Sequence, residues 1–343
     1  MDLSSWLDEE FYTTGCCFPL SGEGEILLAK GGEWLSTSDA EIKIQVRDFY
    51  GHQIRYYHPR VLRLTTLKEL RSEFGIPSFD LILSHKTDYD HLFEKDYNSF
   101  LNANSDLKKA VLMSRVEYLV SDQMSLKRKA LAKAIHSYIG DAYGFWFDGY
   151  AMIGTTPEIL FEIEGKNILS YALAGTVLKE NIDELTNSPK LRLEHDIVVA
   201  NIMEDLLPFC ETLERFETAP AYFGRLVHLK TMIQGEVKSE VQSDSLIKAL
   251  SPTAALGGYP RLLAREFLDK SHYHLAFPDR YHGSIFSVQT PQKERAIVMI
   301  RNIQLHQERL IIEAGAGVVN ASEQSAELKE IHHKISVTKE LLL

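Results

Sequence analysis

The sequence predicts an α+β protein with large, mainly antiparallel β-sheets in the core and helices packed outside. Three observations carry that expectation. Apolar runs come in pairs separated by short turn signals, amphipathic helical stretches fall between the pairs, and the regular strand–helix–strand alternation of a parallel sheet is missing. At 343 residues, 45% hydrophobic and 25% charged, the chain can bury a sizeable core.

Taken in order, residues 25–30 and 61–65 read as short strands. Residues 79–84 read as another, leading into His85, Asp88, Asp90 and His91, a cluster better explained as a solvated loop than as a metal site. The patterns sharpen from about residue 105. Residues 109–115 read as a strand, 144–153 as a hairpin turning at Asp148 and Gly149, and 159–163 with 168–173 as a second hairpin turning at 164–167. A helix is predicted over about 189–207, with apolar residues at 191, 198, 202 and 206. Further strands are predicted at 227–233, 284–288, 296–305 and 310–313, and Ser322 as the cap of a closing helix that runs nearly to Leu343. No Ser/Pro/Gly-rich linker or composition shift divides the chain, which predicts a single catalytic domain over 1–343.

Subtracting 48 acidic from 37 basic residues leaves a net charge of −11. That excludes a non-specific nucleic-acid binder, and an anionic ligand must find a local positive pocket. No apolar run approaches the roughly 20 residues of a membrane span, and the start, MDLSSWLDEEFYTTG, lacks the basic and apolar stretches of a secretion signal. A cytoplasmic protein is expected, with Cys16, Cys17 and Cys210 as reduced thiols.

Several charged residues fall where packing alone would not put them. Glu327, Glu330 and Lys334 lie at i, i+3 and i+7 of the closing helix, beside the apolar stripe Leu328, Ile331 and Ile335. A solvated face would look the same, but just before it Gly315, Ala316 and Gly317 form a predicted loop in which backbone N–H groups can approach a carboxylate. Glu194 shares a helical stripe with Leu191, Val198 and Ile202, where a carboxylate needs a cation or an arginine partner. Three glutamates without Cys or His ligands beside them suit a hard ion such as Mg²⁺. Strand alternation puts Arg301 on one face with Ile297, Met299 and Ile303, where its fork requires an anion. Lys109 shares a face with Val111 and Met113, where desolvation would favour the neutral amine of a base, or where it snorkels. Glu158, at the mouth of an apolar hairpin strand, could serve as an acid.

Together these residues resemble the chorismate-utilizing enzymes: isochorismate and salicylate synthases, anthranilate synthase large subunits and aminodeoxychorismate synthases. The resemblance covers about residues 105–343, through KAVLMS at 109–114, TTPEIL at 155–160, ALAGT at 172–176, LEHDIVV at 193–199, VHLKTMIQG at 227–235, SPTAALGGYPR at 251–261, RYHG at 280–283, MIRN at 299–302 and GAGVVNASEQSAELKEIHHK at 315–334. Residues 1–104 carry none of these motifs, the family's N-terminal part being its most variable.

The resemblance implies that family's fold and a set of roles. Lys109 matches the lysine that activates water in isochorismate and salicylate synthases, where anthranilate synthases carry glutamine. Ala174 stands where aminodeoxychorismate synthases typically carry a nucleophilic lysine. An enzyme adding water is therefore implied, with Lys109 as base, Glu158 as acid, and Mg²⁺ on Glu194 and Glu330 with Glu327 acting through water. Tyr281, Arg301 and Gly315, Ala316 and Gly317 would hold the pyruvyl carboxylate. Gly175, Thr176 and Lys334 would line the rest of the pocket, and His228 matches a family active-site histidine. Ser251, Ala254 and Tyr171 depart from the family pattern. The implied activity is isochorismate synthase, with salicylate synthase, an ammonia-using relative and a non-catalytic chorismate-binding subunit as alternatives. No membrane or nucleic-acid partner and no amidotransferase subunit are expected, and the chain is expected to be a monomer or weak homodimer.

Overall fold

The computed structural model describes residues 3–78, 83–147 and 149–343, so most of the predicted strand at 79–84 and the turn residue Asp148 lie outside the described residues. Among those described, two ten-stranded antiparallel sheets form the core. The first runs Gly258–Tyr259, Lys109–Leu119, Arg309–Val318, Asn302–His306, Tyr150–Thr156, Asp141–Phe147, Gly15–Pro19, Glu25–Lys30 and Val61–Thr66, with Ser84–Asp88 also on Lys109–Leu119. The second runs Cys210–Arg215, Leu226–Val237, Asn167–Leu178, Ile159–Glu164, Lys293–Val298, Ile285–Gln289, Lys43–Arg47, Ile54–His58 and Glu33–Leu35, with Ala219–Phe223 also on Leu226–Val237. Residues 15–66 thus supply strands to both sheets.

The two sheets share an apolar layer. Phe18, Tyr143, Phe145 and Met152 of the first meet Ile44, Val46, Phe286 and Ile297 of the second, all essentially inaccessible to water. Alternation sends their neighbours Cys17, Ala142, Trp146 and Ile153 to the opposite face, into a second cluster shared with the helices. Strands covered on both faces read as unbroken apolar runs, which made Asp141–Phe147, Tyr150–Thr156 and Ile285–Gln289 legible, whereas Gly15–Pro19 and Lys43–Arg47 were not predicted. Helix Gln123–His136 packs on Asp141–Phe147 and Tyr150–Thr156, and Gln324–Leu342 on Arg309–Val318. Helix Pro189–Leu206 packs on Asn167–Leu178; Ser188 caps it by accepting from the Leu191 N–H, and Pro189 occupies its first turn.

Three local expectations are corrected. Residues 296–305 are two strands, Lys293–Val298 in the second sheet and Asn302–His306 in the first. The chain changes sheets between them and Arg301 takes φ 50°, a left-handed turn that no glycine or proline announces. Arg301 therefore does not share a strand face with Ile297, Met299 and Ile303. Gly315, Ala316 and Gly317 lie within the strand Arg309–Val318 rather than in a loop. Ser322 does not cap the closing helix: its hydroxyl accepts from the Val319 N–H. A second change of sheet joins Tyr150–Thr156 to Ile159–Glu164 through Pro157 and Glu158.

Candidate active site

An internal cavity of about 110 Å³ opens beside both changes of sheet. One wall is the pairing of Lys109–Leu119 with Arg309–Val318, in which Val111 lies opposite Gly317, Met113 opposite Gly315 and Arg115 opposite Glu313. The glycines leave room. A Cβ at Gly317 would stand 2.6 Å from Lys109 Cε and 3.0 Å from its Nζ and overlap the Glu194 carboxylate; one at Gly315 would stand 2.5 Å from the Met113 sulfur.

Three glutamates and three lysines meet around this wall as ion pairs. Lys109, 1% exposed, places Nζ 2.9 Å from Glu194 Oε1. Lys334 Nζ stands 2.7 Å from Glu330 Oε1 and donates to the Gly315 carbonyl at 2.8 Å. Glu327 pairs with Lys190 across helices Pro189–Leu206 and Gln324–Leu342. Burial acts to raise the Glu194 carboxyl, yet the Lys109 charge and hydrogen bond hold it below the usual range. Glu330 is pushed up, chiefly by burial and also by Glu194. Glu194 and Glu330 line the cavity and Glu327 does not. Among the described residues no three His, Cys, Asp or Glu side chains gather as a preformed metal cage. Two mutually repelling oxygen donors on one cavity nonetheless fit Mg²⁺, which commonly takes one or two carboxylates and completes its shell with water and substrate oxygens.

The changes of sheet supply the next arm. Burial raises Glu158 to about 7 against the opposing charges of Arg301, Lys109 and Lys334. Its backbone is fixed by a bond from its N–H to Thr156 Oγ1 and one from the Val298 N–H to its carbonyl. Arg301 is lowered to about 10, by burial, and its Nη1 has no hydrogen-bond partner. Its Nη2 donates to His228 Nε2 at 2.6 Å, and His228 Nδ1 lies 3.0 Å from Thr176 Oγ1. With Nε2 accepting, Nδ1 carries the proton and donates to the hydroxyl. Burial and then the Arg301 charge keep His228 neutral, well below the usual histidine range. Both ring nitrogens are occupied, so His228 orients Arg301. The register shift between Ala174 and Thr176, with Gly175 at φ 68°, is a bulge that turns Leu173 through Thr176 onto the cavity.

A third arm was missed by the sequence analysis: Arg280, His282 and Glu313 all line the cavity. Glu313 accepts from Tyr273 Oη and from Gln304 Nε2 at 2.5 Å, with Arg115 Nη1 at 3.7 Å. Burial acts to raise Glu313, but Arg115, His282 and these bonds hold it low. A carboxylate in the apolar run preceding Gly315 was the available signal.

Of the residues singled out in the sequence, Lys109, Glu158, Gly175, Thr176, Glu194, His228, Arg301, Gly315, Gly317, Glu330 and Lys334 line this cavity. Tyr281 does not: its ring packs between the sheets against Tyr150 and Phe145. Ala316 is turned by strand alternation into the cluster shared with the helices. Tyr171 lies under the Lys230 ammonium, 3.5 Å from ring centre to nitrogen. Asp90 accepts from Ser114 and pairs with His332, which accounts for part of the polar cluster after residue 84.

The chain matches the chorismate binding enzymes over residues 69–343. It is 29% identical over 198 residues to "Isochorismate synthase MenF" of Pasteurella multocida, covering 54% of this chain and 45% of that protein. It is 32% identical over 202 residues to "Salicylate biosynthesis isochorismate synthase" of Pseudomonas aeruginosa, covering 55% and 41%. These matches thus span under half of either relative. The fold is that of MenF, the menaquinone-specific isochorismate synthase of Escherichia coli, with a TM-score of 0.86 at 18% identity over 100% of this chain and 92% of that one.

Proposed function

Since the chain belongs to the chorismate binding enzymes, we propose that it isomerises chorismate to isochorismate, adding water at C2 and releasing the C4 hydroxyl. The observation that carries this reading is the pairing of functions across one cavity. A buried lysine is held by a glutamate on one wall, and a carboxyl raised to about 7 stands at the change of sheet.

The chemistry needs a base for the attacking water and an acid for the departing hydroxyl. Glu158 enters protonated near neutral pH and gives its proton to the C4 oxygen. Lys109 acts as the base in its neutral form: as its pairing with Glu194 is broken the ammonium gives up a proton to solvent, and the free amine then takes one from the attacking water. Glu194 and Glu330 would hold Mg²⁺, with Glu327 kept back by Lys190. When bound, that ion neutralises a substrate carboxylate and stabilises charge developing on the ring. Arg301, aimed by His228 and Thr176, binds the other carboxylate. Leu173, Ala174 and Leu256 keep bulk water from the ring.

Ala174 on the wall leaves no amine there for a covalent aminating route. The protein works as one catalytic unit of residues 1–343, without an amidotransferase subunit, in the cytoplasm as a monomer or weak homodimer. The test is product analysis of purified protein with chorismate and Mg²⁺, with and without ammonia. Isochorismate in both mixtures supports the proposal. Salicylate with pyruvate favours the salicylate synthase reading, and an aminated product or no turnover overturns it.

A further inference from the structure

Arg280 is 7% exposed and stacks on Phe49, with its Cζ 3.5 Å from the ring centre. Its Nε donates to the His282 carbonyl at 2.9 Å, and its own carbonyl accepts from the Phe49 N–H at 2.7 Å. Among the described residues no carboxylate comes within 4.0 Å of the guanidinium, and the carboxylate whose charge reaches it is Glu313. A buried cation that faces a cavity without a counter-ion is costly unless an anion arrives to meet it.

Its position indicates which anion. Gly317 and Glu313 are four residues apart on one strand, about 13 Å at roughly 3.3 Å per residue. Glu194 and Lys109 crowd the Gly317 end. Arg280 and His282 lie at the Glu313 end: the Glu313 charge acts on both, and Tyr273 also acts on Arg280. Arg280 thus faces the cavity from the end of the wall opposite Glu194 and Lys109, so an anion it meets is a different group from the one held at the Gly317 end.

Resting on the isochorismate synthase reading, we propose that Arg280 is a second substrate-anion contact. It takes the side-chain carboxylate remote from Glu194 and Glu330, and so sets specificity for a ring dicarboxylate over a monocarboxylate. Arg301 approaches that group from the change of sheet. Phe49 is a positioning residue, a role for the N-terminal segment at the cavity.

The test is calorimetric binding, with Mg²⁺ present, of chorismate and of 3-hydroxybenzoate, which keeps a ring carboxylate but lacks the side chain. Arg280→Gln should weaken chorismate about ten-fold or more and leave 3-hydroxybenzoate within about two-fold, whereas Arg280→Lys should recover part of the loss. Thermal melts of both variants establish that they are folded, and the lysine variant carries the test should the glutamine variant not fold. Equal losses for both compounds, or no loss for either, overturn the proposal. If the wild type binds chorismate without isomerising it, the functional reading fails, and Arg280 is still decided by the two affinities. A wild type that does not bind chorismate refutes both.

Discussion

Gly317→Ala separates what the fold needs from what the chemistry needs. The new methyl would stand 2.6 Å from Lys109 Cε and 3.0 Å from Nζ, and would overlap the Glu194 carboxylate. Ordinary contact begins at about 3.4 Å, so the Lys109–Glu194 pair must move by about 0.5–1 Å. Both obstructing groups are the ends of long side chains, so the backbone pairing with Val111 survives and stability changes little. A displacement of about 1 Å at reacting groups costs on the order of 100-fold in rate. The expected result is therefore a kcat/KM about 100-fold lower, with a melting temperature within a few degrees of wild type. Activity within about three-fold of wild type would refute the idea that this glycine exists to seat the lysine and its glutamate.

Glu158 gives a pH prediction. Its carboxyl, raised by burial to about 7, stabilises the fold as the neutral acid at low pH, and that contribution disappears as pH rises through about 7. The shift corresponds to roughly 3 kcal/mol. The rate should fall through the same range, and Glu158→Gln should lower kcat more than affinity while melting higher than wild type above about pH 8; a flat wild-type profile would count against the acid role. Glu330→Gln should raise the Mg²⁺ concentration needed for half-maximal activity, so an unchanged metal titration would remove it as a ligand. Lys109→Ala should abolish turnover but not chorismate binding. It also leaves Glu194 without its ion-pair partner, and denaturant melts should show a loss of about 3–5 kcal/mol.

How much of this was readable depends on which physical signal each residue leaves. Lys109 shows itself by parity: on a strand whose alternate residues are Val111 and Met113, a lysine faces whatever they face. Glu194 does the same on a helix through Val198 and Ile202. Arg301 was found for an incomplete reason. Its need for an anion follows from its apolar neighbours, but Met299 and Ile300 continue the hydrophobic run and hide the change of sheet. The Gly315–Gly317 stretch looked like a loop because glycine is a poor strand former. Its real demand is for space against Met113, Lys109 and Glu194, a tertiary fact with no local trace. Tyr281 was placed by resemblance alone, and its ring is taken by the aromatic layer between the sheets. Glu313 left a signal, a carboxylate in the apolar run before Gly315, that went unused, and Arg280 went unread because it gains meaning only from Glu313 and from Phe49, more than two hundred residues earlier. The strands within 15–66 were only partly legible, since short segments become strands by pairing with partners far along the chain.

The central claim is that the oxygen on C2 of the product comes from solvent, activated at Lys109. Running the reaction in ¹⁸O-labelled water and weighing the isochorismate formed tests it most directly. The account predicts one labelled oxygen per product molecule, located on C2. Unlabelled isochorismate would mean that the C4 hydroxyl migrates without exchange, and would contradict it.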